Sequence, residues 1–118
     1  MADDDYCYLT TTGRVTGSPH EIEIWYVREG STLYLLAGAG RRSDWVRNLE
    51  VEPAVTVRFG ADPQTFGGRG RILDDGSDAE ERARSLVFEK YQPRNAGDLG
   101  GWRVDALPVA VDLAVNPG

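Results

Sequence analysis

The run Leu9-Thr10-Thr11-Thr12-Gly13-Arg14-Val15-Thr16-Gly17-Ser18-Pro19-His20 leads straight into Glu21-Ile22-Glu23-Ile24-Trp25-Tyr26-Val27. The second run alternates between apolar and polar residues, the period of a half-buried strand. A short apolar entry precedes the first glycine, so the whole reads as strand, tight turn, strand. Glycine lets backbone N–H groups converge on an anion, and Arg14, Thr16 and His20 add side-chain donors. Two readings of the turn stand side by side. It is a phosphate cradle between two strands, or it is an ordinary hairpin connection, since Gly, Ser, Thr and Pro dominate turns in any case.

The flanking sequence continues the β pattern. Strands are expected over 6–11, 21–28, 32–37, 54–60, 65–73 and 107–115. In 21–28, Ile22, Ile24 and Tyr26 share one face and Glu21, Glu23 and Trp25 the other. Glu29-Gly30-Ser31 makes a tight turn into 32–37. Val55, Val57 and Phe59 point inward, and the glycines of 65–73 mark a bend or a close contact. The last strand carries Leu107, Val109, Val111, Leu113 and Val115 in strict alternation. Two helices interrupt the strands. One covers 44–50, with Ser43 as its N-cap and Pro53 beyond its end. The other covers 78–91, where Ala79, Ala83, Leu86, Val87 and Tyr91 form the apolar stripe. Six short strands with two short helices predict a mainly β fold, a small antiparallel barrel. The lack of regular strand–helix alternation argues against a doubly wound parallel sheet.

The 118 residues have room for one core, so a single domain over 1–118 is expected, with the acidic residues 1–5 as a disordered tail. No apolar run approaches the roughly 18 residues of a membrane-spanning helix, and the start of the chain lacks the basic and apolar regions of a signal peptide. A soluble cytoplasmic protein is the expectation. The net charge of −6 argues against a general nucleic-acid surface, which needs a basic stripe. Lys90 is the only lysine among 13 cations. Where arginines gather, at Arg41, Arg42 and Arg47, their forked donors suit phosphate or carboxylate. A single cysteine, Cys7, excludes a disulfide framework or a multi-cysteine zinc site, and its place in the first strand suggests a buried thiol.

Catalytic side chains are few. There is one histidine, no serine triad and no ligand cluster at metal spacing. Glu21 and Glu23 share a strand face, which suits solvent better than a glycosidase cleft. A chain this poor in reactive groups binds something, or leaves the chemistry to a cofactor.

Four segments in order carry a family resemblance: Leu9-Thr-Thr-Thr-Gly-Arg-Val-Thr-Gly17, the strand Ile22 to Val27, Ser43-Asp-Trp-Val-Arg-Asn-Leu49 and Pro53-Ala-Val-Thr-Val57. Together they resemble the deazaflavin-dependent nitroreductase family of flavin/deazaflavin split β-barrel oxidoreductases. The resemblance implies an FMN-binding-like antiparallel split β-barrel, a site for the deazaflavin coenzyme F-420, and hydride transfer to a small electron-poor enone, quinone or nitroaromatic compound. It places Arg14, Thr16 and His20 at the coenzyme phosphate, with Val15 where relatives often carry a second cation. Ile24, Trp25 and Trp45 are candidate cofactor-binding residues, and Trp25, Trp45 and Trp102 are the candidate pocket walls. The loop Gly38-Ala39-Gly40-Arg41-Arg42-Ser43 stands for a longer segment of many relatives, with Arg41 and Arg42 supplying cations. Tyr26 and Tyr91 are the candidate proton donors. FMN or FAD on the same barrel is an alternative cofactor. A non-catalytic deazaflavin or haem carrier, with His20 as the weak case for haem, is the alternative role. Trp25 and Trp102 offer aromatic area to a second copy, so a homodimer is expected.

Overall fold

The computed structural model describes residues 6–114. The acidic tail 1–5 and Val115 lie outside the described residues. Seven strands form one sheet: β1 (Cys7–Thr12), β2 (Pro19–Ile24), β3 (Val27–Glu29), β4 (Thr32–Ala37), β5 (Ala54–Phe59), β6 (Thr65–Ile72) and β7 (Leu107–Leu113). Their order is β2-β1-β5-β6-β7-β4-β3, and every pairing is antiparallel. Three helices accompany them: α1 (Asp44–Val51), α2 (Asp78–Tyr91) and α3 (Gly100–Asp105).

The expected continuous strand 21–28 is broken. Its first half pairs with β1, its second with β4, at opposite edges of the sheet, and Trp25 and Tyr26 make the crossing. A buried break in a ladder orphans backbone groups that must find partners. Here the Tyr91 hydroxyl supplies both: it accepts from Tyr26 N at 2.9 Å and donates to Tyr26 O at 2.9 Å. Lys90 Nζ donates to the same carbonyl at 2.8 Å. One strand therefore closes the barrel at both edges while leaving it split alongside.

Strand alternation sorts the core into two layers. Leu9, Leu33, Leu35, Val57, Val109 and Val111 fill the barrel interior, with Leu49 of α1 reaching in. Tyr34, Leu36 and Ala110 on the opposite face pack under Ala83, Val87 and Tyr91 of α2. β4 and β7 are thus buried on both sides, which explains their nearly unbroken apolar runs. Gly70 admits α1: a Cβ there would lie 2.0 Å from Leu49 Cδ1, so the close contact read from the β6 glycines is that of a helix. Asp44 opens α1 with Ser43 in the cap position, but the Ser43 side chain accepts no capping bond.

The helix α3 departs from the sequence expectation, because Gly100 and Gly101 are poor helix formers. Arg84 of α2 holds it from outside. Its Nη1 donates to Arg103 O at 2.6 Å and to Ala106 O at 2.8 Å, while Glu80 anchors the same guanidinium at 3.0 Å. Tertiary contact here overrides propensity.

Candidate functional site

The split runs along the free edge of β2. In β4, Leu35, Leu36 and Ala37 continue past Tyr34, the last of its residues to find a β3 partner, so among the described residues no strand covers them on that side. From Ala37 the chain crosses through the loop 38–43 to α1. Two hollows stand at opposite ends of β2.

The first is polar, about 250 Å³, and is lined by Gly13, Arg14, Val15, Thr16, His20, Asp44 and Asn48. Its turn is tightly built. Gly17 N donates to Gly13 O at 2.8 Å, Gly13 N donates to Ser18 O at 2.7 Å, and Gly17 takes a φ of +78° that only glycine adopts freely. A Cβ on Gly13 would sit 2.7 Å from His20 Nε2, so the imidazole packs directly on that backbone. Thr16 Oγ1 accepts from Ser18 N at 3.3 Å, which leaves its own proton to donate.

Asn48 is the hub of this end. It is 2% exposed, and its Oδ1 accepts from Arg14 N at 3.1 Å and from Arg14 Nη1 at 2.8 Å. Its Nδ2 donates to Thr11 Oγ1 at 3.2 Å. The guanidinium of Arg14 also meets the carboxylate of Asp44 at 3.3 Å. Arg14 therefore ties the turn to the first turn of α1 as well as facing the hollow. Asn48 and Thr11 are the buried polar pair that joins the motif segments, and the sequence pattern assigns neither a role. The signal the sequence offers is their place in the segments Ser43–Leu49 and Leu9–Gly17 that carry the family resemblance.

The second hollow is aromatic, about 570 Å³, lined by Tyr6, Glu23, Ile24, Trp25, Leu36, Leu99 and Trp102. Trp25 stacks on Tyr91 at 4.4 Å between centroids with the rings 2° from parallel, and meets Trp102 edge-on at 5.6 Å. Gly38, at the start of the 38–43 loop, approaches Trp102: a Cβ there would lie 3.7 Å from the indole Cδ1 and Nε1. Tyr6, Glu23, Leu36 and Leu99 come from four separate segments, so no local motif announces them.

The remaining residues expected at the site are more scattered. Ala39 precedes a single 3-10 turn, Gly40–Arg42, entered with Gly40 at a φ of +59°. Arg41 Nε lies 3.6 Å from Glu50, and its carbonyl accepts from Arg47 Nε at 3.2 Å. Arg42 is exposed, and its guanidinium has no partner among the described residues. Trp45 is half-buried against the barrel interior. Tyr26 is buried, its ring 5.1 Å from Phe59. The Tyr91 hydroxyl is engaged on the Tyr26 backbone, and burial pushes its pKa well above the usual tyrosine range. Cys7 is fully buried, its thiol raised by burial to about 12. No group of potential metal ligands occurs among the described residues, and no described helix is long and apolar enough to cross a membrane.

A family model described as F420H(2)-dependent quinone reductase matches residues 1–113. A solved structure described as an F420-H2 dependent reductase is similar over 97% of this chain and 97% of its own, with a TM-score of 0.72 and 21% identity. The haem storage protein of Vibrio cholerae is similar over 96% of this chain and 84% of its own, at a TM-score of 0.73 and 16% identity. A third structure, described as a domain-swapped dimer, covers 96% of this chain and 82% of its own, at 0.72 and 21%. At these identities the likeness is one of fold, the split β-barrel.

Proposed function

The chain belongs to the F420H(2)-dependent quinone reductase family, an oxidoreductase family, and on that footing we propose that it binds coenzyme F-420 along the split and reduces a small, flat, electron-poor acceptor, with quinones first and enones or nitroaromatics next. The observation that carries the reading is the pairing of hollows on β2. A hydroxyl- and cation-lined end at His20 and an aromatic end at Ile24 are separated by four residues of strand, about 13 Å. That span suits a coenzyme with an anionic tail and a flat ring.

The polar end fits a phosphate. Arg14, Thr16 and His20 present donors, and the one carboxylate in the lining, Asp44, is turned to Arg14. Arg42 lies on the loop leading to the same helix, with its fork available, while Arg41 is shared with Glu50. When bound, the reduced coenzyme supplies a hydride. The chain's own part is to hold and shield. Trp25, Trp102, Leu36 and Leu99 remove water from one side of the hollow, which strengthens polar interactions inside it and fixes the approach of a flat acceptor. Tyr91 keeps its proton and holds the Trp25–Tyr26 crossing, so its contribution is positional, and water at the open mouth supplies the proton of the reduced product.

Fluorescence titration of the purified protein with coenzyme F-420 and with FMN tests this. Micromolar or tighter binding of the deazaflavin, and weaker binding of FMN, is expected. FMN at least as tight would move the cofactor to a flavin and leave the fold untouched. We also propose that the chain pairs with a second copy. A relative of the same fold described as a domain-swapped dimer supports this, and sedimentation giving only a 13.0 kDa species would oppose it.

A further inference from the structure

Among the described residues the aromatic hollow has one charged lining residue, and it is an acid. Glu23 is exposed at the wall beside Ile24 and Trp25, and it has no ion-pair partner among the described residues. Glu21, two positions earlier on the same strand face, is held by Arg58 at 3.7 Å. The two carboxylates are thus chemically distinct despite near-identical sequence context. No cation among the described residues lines the hollow. The remaining walls are two indoles at right angles, a phenol, an isoleucine and two leucines, and electron-rich indole faces attract flat, electron-poor or cationic rings.

We propose that Glu23 sets the charge specificity of the acceptor: the hollow takes neutral or cationic flat rings and rejects anionic ones. This rests on the reading of the hollow as the place where the flat acceptor stacks beside the coenzyme ring. The physical cause is direct. A sulfonate or carboxylate on a ring stacked against Trp25 must lie near an uncompensated carboxylate. Two unit charges about 6 Å apart, at the high effective dielectric of an exposed site, change affinity by about three- to tenfold.

The test uses three 1,4-naphthoquinones that differ only in one substituent: hydrogen, a sulfonate or a trimethylammonium group. Binding is read in coenzyme-free protein by quenching of tryptophan fluorescence, which depends on neither coenzyme loading nor turnover. Failure of the coenzyme assignment would show in the deazaflavin titration and leave this readout intact. In the wild-type protein the sulfonate is expected to bind about three- to tenfold more weakly than the neutral ring, and the ammonium at least as tightly as the neutral ring. Glu23→Gln should bring the sulfonate within about twofold of the neutral ring. Glu21→Gln removes the same net charge from a paired position and should leave the ratio as in the wild type. Equal binding of sulfonate and neutral ring by the wild-type protein overturns the proposal. So does an unchanged ratio in Glu23→Gln, or the same change in Glu21→Gln, which would assign the effect to the overall charge of −6. Absence of quenching by all three rings overturns the hollow as their site.

Discussion

Replacing Asn48 with alanine tests the hub that links the motif segments. The side chain makes three hydrogen bonds, two accepted from Arg14 and one donated to Thr11. Thr11 is 1% exposed, so its hydroxyl has little access to water once Asn48 is gone. Leaving a buried polar group unpaired costs about 1–3 kcal/mol. The Arg14 end is only partly buried, so water recovers some of that loss there. The sum is about 2–4 kcal/mol, a large share of the roughly 5–15 kcal/mol that holds a domain of this size. At about 4 °C per kcal/mol, the melting temperature should fall by about 8–16 °C. Circular dichroism melts and urea titrations measure this directly. A double-mutant cycle with Arg14→Ala should return a coupling of about 1–2 kcal/mol, because the shared bond involves a charged donor. A loss below about 0.5 kcal/mol for Asn48→Ala, or strict additivity with Arg14→Ala, would refute the hub and return Arg14 to the role of a surface cation.

The same contacts fix further outcomes. Gly70→Ala should destabilise by about 1–3 kcal/mol in urea, because its Cβ would enter Leu49, whereas Gly67→Ala meets nothing within 4 Å and should not introduce that clash. Arg42→Ala should weaken coenzyme F-420 binding by about 1–3 kcal/mol in fluorescence titration and leave the melting temperature nearly unchanged, since an exposed loop arginine contributes little to folding. Glu29, Glu81 and Asp112 are held below the ordinary carboxylate range by hydrogen bonds from Arg82, Arg103 and Arg71. A depressed carboxyl pKa stabilises the fold above the unfolded value near 4 and loses that effect as pH falls through the folded value, so urea midpoints should be level from about pH 8 to 5 and drop below about pH 4. Cys7, buried and with its thiol near 12, should react with a thiol reagent at about pH 8 only after unfolding.

The strands were legible because each needs only its own alternation: Val55, Val57 and Phe59, or Val109, Val111 and Leu113, carry their inward face in the sequence. The break at Trp25–Tyr26 was not legible, because the alternation of Ile22, Ile24 and Tyr26 runs through it without interruption. What permits the break is a hydroxyl 65 residues away, on Tyr91. The helix α3 was hidden for a similar reason: two glycines argue against it, and Arg84, on another helix, satisfies the carbonyls at its end. At the site, the turn from Gly13 to His20 announced its donors but not its hub. Asn48 stands in a segment that carries the resemblance, but its role as hub shows only once its partners in β1 and the turn are placed beside it.

The break and the site have one origin. A strand unbroken along a single edge would leave the other edge of the sheet unpaired, exposing a row of N–H and C=O groups. By crossing at Trp25 and Tyr26 the chain pairs with both edges, but among the described residues β2 then lacks a neighbour on its outer side, and past Tyr34 β4 pairs with β7 alone. The short loop 38–43 leads from β4 into α1, which packs on β1 and β6, and α2 and α3 bring aromatic residues to the crossing. Loop backbone and ring faces cannot complete a ladder, so hollows persist at both ends of β2. One is made polar by a glycine turn and the other apolar by Trp25 and Trp102. Stabilising the crossing through Tyr91 therefore also holds the stacked wall in place, and the residue whose hydroxyl completes the fold also stacks on a wall of the aromatic hollow.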